Sequence, residues 1–99
     1  MTTVSVVKAA GPFAENKDVA RNLRRKQVSP ALAAGETVTI DFEGVELATQ
    51  SFIHALISDV IRTMGAPVVD SIVFKNCNEA IKGLIEIVVE YSQEGLQEE

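Results

Sequence analysis

The stretch Val38 to Leu56, VTIDFEGVELATQSFIHAL, constrains this chain more than any other, because it reads as a buried strand, a tight turn and the start of a long helix in one run. Val38, Ile40 and Phe42 alternate with Thr39 and Asp41, the two-residue period of a pleated strand with an apolar face. Gly44 permits the turn. From Phe52 onward the apolar residues Phe52, Ile53, Leu56, Ile57, Val60, Ile61 and Met64 recur at intervals of three and four, the stripe of a helix that stops at Gly65 and Pro67. Strand, turn and helix in this order form half of a crossover unit.

The flanking segments extend the alternation. Val4 to Val7 reads as a short strand ended by Gly11 and Pro12, and Phe13 to Lys17 as a loop whose aromatic ring is expected to anchor in the core. Asn16 or Asp18 can cap a helix running to about Val28, with Ala20, Leu23 and Gln27 on its inner side. Pro30 is expected to kink or restart this helix, with Ser29 as cap and Gly35 as the end. Val68 to Phe74 reads as a strand, at an edge or preceded by a bend. Asn76 and Asn78 signal a last helix from Glu79 to Tyr91, with residues 92–99 a frayed tail.

Strands alternating with helices imply an α/β fold, a small mostly parallel or mixed sheet of three to five strands packed with about three helices. Ninety-nine residues make one domain and leave no room for a deep cleft between two. Any site is therefore expected at the surface or at an oligomer interface. The last helix carries Ile81, Leu84, Ile85, Val88 and Tyr91 on one stripe, and Ile87 and Val89 widen it, so a homodimer and a monomer both stay open.

Charge and cysteine content narrow the function classes. The net charge is −5, but residues 1–36 hold six Lys or Arg against three acids and residues 37–99 hold three against eleven. The acidic sum disfavours nucleic acid and anionic membrane as partners. A single cysteine makes no internal disulfide, and with no long apolar run or signal-peptide pattern the expected location is cytoplasmic.

The segment DFEGVELATQSFIHAL is similar to the strand, turn and helix start of STAS domains, the module of anti-sigma factor antagonists and sulfate-transporter tails. With the later FKNCNEAIKGLIEIV, the chain resembles the bacterial STAS-like family of about this length. The resemblance implies a STAS-like fold over most of the chain beyond residue 15 and a non-catalytic, protein-binding role in bacterial regulation. In the antagonists a serine after an aspartate at the helix start is phosphorylated by a partner kinase, which releases the partner. Aligning Asp41, Gly44 and Val45 with the family pattern puts Thr49 at the acidic position and Gln50 at the phosphorylated serine. The switch is then shifted by one residue, with Ser51 and Thr49 as the candidate phosphorylation sites, or absent, which is the reading adopted. Resemblance also suggests a partner of the histidine-kinase-like ATPase class.

The expected partner-binding surface is Glu46, Thr49, Gln50, Ser51 and His54, with Ser58 further along on the exposed side of the helix. Capping alone accounts for hydroxyls at Thr49 and Ser51. His54 has no second histidine or spaced ligand set for a metal, and Cys77 has no basic neighbour to stabilise a thiolate. Asp41 and Glu43 end the central strand on one side, where they could hold a cation, but a structural aspartate bonded to the following turn is the simpler role for Asp41. No catalytic set and no cofactor motif is recognised, and no enzyme activity is expected. The alternative is a small-anion or nucleotide-binding module that uses the helix start, aided by Arg21, Arg24 or Arg25, which share one side of the first helix with Lys17.

Overall fold

The structure, a computed structural model, describes residues 2–97, with the side chains of Ala66 and 93–97 excepted. Strand β1 (Thr2–Ser5) leads into α1 (Val6–Ala10), β2 (Phe13–Ala14) and α2 (Lys17–Leu23). A π-helical segment, Arg24–Val28, joins α2 to α3 (Ser29–Ala33), and β3 (Val38–Asp41) and β4 (Leu47–Ala48) follow. The next helix has the same three-part build: α4 (Gln50–Ile53), a second π segment (His54–Ser58) and α5 (Asp59–Met64). A 3-10 turn (Ala66–Ser71), β5 (Ile72–Lys75) and α6 (Glu79–Gln97) complete the chain.

The main sheet is parallel with order β1-β3-β5, so the strand read first in the sequence lies in the middle. Its register lines up Val4, Ile40 and Phe74 in one row and Thr3, Thr39 and Val73 in the next. Val4 and Ile40 are fully buried, whereas Thr3 and Val73 are exposed, so the helices cover one face and leave the other to solvent. Phe42 and Phe52, both fully buried, flank the turn at Gly44. Each contributes about 1.5–3 kcal/mol by leaving water. The α/β fold of the sequence reading is thus present, with five strands among the described residues: three in the main sheet and two in the separate short parallel pair β2 and β4.

Several boundaries differ from the sequence reading. The first strand begins at Thr2 and stops at Ser5, and Val6–Ala10 is helical, closed by Gly11 at φ +77° with its N–H on the Val7 carbonyl. Val6 and Val7 favour strands by propensity, but a strand continued past Ser5 would run beyond the end of its partner at Asp41. Phe13 is 54% exposed instead of anchored, because the neighbouring Ala14 takes the inward side of β2. Gln27 is exposed, and Val28 occupies the inner position expected for it.

Pro30 does not restart the first helix. The backbone stays helical from 17 to 33, and the Ser29 N–H donates to the Arg24 carbonyl five residues back just before the position where proline has no N–H to offer. Ser29 therefore caps nothing through its side chain. The last strand starts only at Ile72, after the 3-10 turn, and forms a sheet edge. The last helix continues past Tyr91 to Gln97; the expected fraying of 92–99 falls largely outside the described side chains. Of the wide apolar stripe on α6, Ile81, Ile85 and Val88 are buried, while Ile87 and Tyr91 are 55% and 60% exposed.

Candidate functional site

The turn that leaves β3 is held by the strand's own carboxylate. One Asp41 oxygen, Oδ1, accepts from the Asn76 side-chain amide and from the Glu43 N–H, both at 2.9 Å. The Asn76 bond first, then the backbone bond, lowers the Asp41 pKa. Asp41 is thus the structural aspartate of the simpler sequence reading, and Glu43 beyond it is exposed. Glu46 is exposed as well, with its N–H on the Pro12 carbonyl at 2.7 Å and its own carbonyl accepting from Asn78 Nδ2 at 2.9 Å. Asn78 also caps α6 by accepting from the Ile81 N–H.

Thr49 is the N-cap of α4, its hydroxyl accepting from the Phe52 N–H at 3.2 Å. That hydroxyl is already committed. Gln50 and Ser51 are exposed, and His54 is half-buried; among the described residues their side chains make no hydrogen bond or ion pair. Ser58 is not on the exposed side, as the sequence reading had it. It is 1% exposed, and its Oγ accepts from the Ser92 hydroxyl at 3.0 Å, because α6 packs against the back of this helix.

In front of the helix lies an open cleft of about 550 Å³, walled on one side by Lys17, Arg21 and Arg24 and on the other by Gln50, Ser51 and His54. Asp59 and Arg62 also line it, and the buried Ser58 borders it from within the helix packing. The two π segments meet here: Arg24, which opens the first, donates from Nη1 to the Ala55 carbonyl in the second at 3.0 Å. A π turn widens a helix locally and recurs at functional sites. Arg24 also lies 3.8 Å from Asp59, while Arg21 has only the exposed, distant carboxylate of Asp18 at 3.5 Å. Arg25, grouped with these cations from the sequence, does not line the cleft.

The cleft thus brings together the helix start and the basic helix, the two groups that the alternative sequence reading combined, with Arg21 and Arg24 but not Arg25 taking part. Sequence reasoning missed Arg62, although it follows His54 by two helical turns and so shares its side. It also missed the exposed pair Phe13 and Leu47, register partners across β2 and β4 with 54% and 47% of their surface in solvent. Leu47 comes directly after Glu46 and two positions before the Thr49 cap.

Other chemistry is sparse. Among the described residues no group of three or more His, Cys, Asp and Glu side chains converges to hold a metal ion, and no helix is long and apolar enough to cross a membrane. The half-buried Cys77 thiol is pushed up by burial, which favours the protonated form over the nucleophilic thiolate.

A family model described as a STAS-like domain of unknown function matches residues 19–82, from α2 into α6. The chain belongs to that STAS-like family. Most of the cleft of this STAS-like domain, including Arg21, Arg24, Gln50, Ser51 and Arg62, lies inside the matched region, and Lys17 lies just ahead of it. Comparison with curated proteins and with solved structures returned no match.

Proposed function

We propose that this STAS-like domain is a non-catalytic interaction module of bacterial regulation that docks a partner protein through the turn and helix start from Glu46 to His54. The observation that carries the reading is the exposed Phe13 and Leu47 pair, with Leu47 three residues ahead of the polar side chains of Gln50, Ser51 and His54, which make no bond of their own among the described residues. Apolar anchors rimmed by uncommitted polar groups are what a protein interface uses. Family resemblance suggests an ATPase of the histidine-kinase-like class as the partner. Ser51 is the accessible hydroxyl for a phosphorylation switch, since Thr49 is bound in its cap.

The test is affinity capture of the tagged chain from its native cells, with mass spectrometry of co-purifying proteins and of phosphate on Ser51 and Thr49. A partner held by the wild type and released by Leu47→Asp or by Gln50→Arg with Ser51→Arg is the expected result. No stable partner, together with no phenotype from the Gln50 and Ser51 variants, rejects the reading.

A second reading, a nucleotide or small-anion module, is favoured by Arg21 and Arg24 sharing the cleft with Gln50 and Ser51. Calorimetric titration with ATP and GTP separates it, since a binding module gives saturable heat.

A further inference from the structure

We infer that the cleft between the 17–33 and 50–64 helices receives an acidic, extended segment of the docked partner, an inference that rests on the interaction reading above. The first argument is charge. Among the described residues four basic side chains, Lys17, Arg21, Arg24 and Arg62, line the cleft against a single acid, Asp59, on a chain whose net charge is −5. An acidic segment is repelled by most of this surface and attracted here, which confines it to one place.

The second argument is availability. Arg24 is tied to Ala55 and Asp59 and serves as the wall that holds the two helices together. Lys17 and Arg62 are exposed and, among the described residues, in no ion pair, and Arg21 has only its distant intrahelical contact with Asp18. Lys17 and Arg62 are therefore ready for an incoming carboxylate, and Arg21 can exchange its exposed contact with Asp18 for one. Gln50 and Ser51, opposite them, can hydrogen-bond a peptide backbone.

The third argument is spacing. Lys17 and Arg21 are four residues apart on one helix, a rise of about 6 Å. Alternate side chains of an extended strand stand about 6.8 Å apart on one side. Acids at every second position of an extended segment can thus meet successive cations of the wall. Among the described residues no Phe, Tyr or Trp lines the cleft to stack a base, so the lining suits a peptide better than a nucleotide.

The experiment uses the full chain and a short fluorescein-labelled peptide alternating Glu and Ser, followed by fluorescence anisotropy. Saturable binding is expected, with none for the same peptide carrying Gln in place of Glu. Charge reversal at the exposed positions, Lys17→Glu or Arg62→Glu, weakens it at least about tenfold, and higher salt weakens it further. Arg25→Glu, on the same helix outside the cleft, changes it less than about twofold if the cleft is the site. Equal binding of the Gln peptide, equal loss on Arg25→Glu, or tighter binding of ATP than of the acidic peptide overturns the inference. Partner capture that depends on Leu47 but not on Lys17 or Arg62 also overturns it and leaves the docking reading standing. Capture indifferent to Leu47, Gln50 and Ser51 instead removes the docking reading itself.

Discussion

Arg24 and Ala55 join the 17–33 and 50–64 helices at the point where each departs from α-helical geometry. The guanidinium that begins one π segment donates to the second carbonyl of the other at 3.0 Å. The side chain is 14% exposed, so this charge-assisted bond sits largely out of water, whereas its ion-pair partner Asp59 is 62% exposed.

Removing the bond should be costly and removing the ion pair should not. Arg24→Met, which keeps the stem, is expected to lower stability by about 1.5–3 kcal/mol. Asp59→Asn should change it by less than about 1 kcal/mol, because an exposed pair at 3.8 Å contributes little. Urea unfolding midpoints of the two variants check this ordering.

The buried hydroxyl pair between Ser58 and Ser92 gives a coupled prediction. Either single change to alanine leaves the other hydroxyl buried and unsatisfied, at a cost of about 1–3 kcal/mol. The double variant removes both polar groups together and should cost less than the sum of the singles. A double-mutant cycle by chemical denaturation measures the difference.

Asp41 links stability to pH. Its carboxyl is held below the ordinary value by the Asn76 and Glu43 bonds, so the folded state binds a proton less readily than the unfolded chain. Stability from this group is complete above the unfolded pKa, about 3.9, and is lost as pH falls through the lower folded value. The stability difference between wild type and Asp41→Asn should be flat from neutral pH down to about 5 and shrink below about 4. Denaturation curves across that range test the sign.

Two glycines with the same backbone sign should respond differently to alanine. Gly44, at φ +87°, would place a Cβ 3.2 Å from a Val7 methyl, while Gly35, at φ +84°, has nothing within 4 Å. Gly35→Ala is expected to cost about 1–2 kcal/mol from the left-handed backbone alone. Gly44→Ala should cost more, by the displacement of Val7. Thermal unfolding of both variants compares them.

The parts of this molecule legible in its sequence are those set by local periodicity. Val38, Ile40 and Phe42 declare a strand, and Phe52 to Ile61 declare a helix face, because burial repeats at the period of the backbone itself. Caps are legible to within a residue or two for the same local reason, a side-chain acceptor within reach of nearby N–H groups: of Asn16 or Asp18 and of Thr49 or Ser51, the structure uses Asn16 and Thr49. What escaped depends on distant partners. Ser58 sits on the back of its helix beneath Ser92, a residue in another element, and no pattern near position 58 reports that. Phe13 looks like an anchor until Ala14 is seen to take the inward side. Lys17, Arg21 and Arg25 look alike on a helical projection, and only the position of the 50–64 helix separates those that border the cleft from the one that does not.

The all-parallel sheet also governs how the chain can fold. Each strand pairing joins residues more than 30 positions apart, Thr2 with Val38, Phe13 with Leu47 and Val38 with Ile72. No hairpin can form early and template the rest, so long loops must close before any ladder bond rewards them. Helical turns, whose contacts are local, need no such closure, and β3 is the strand with which both β1 and β5 pair. A nascent chain lacking β3 has no strand for β1 to join, so the main sheet waits until residue 41 is available.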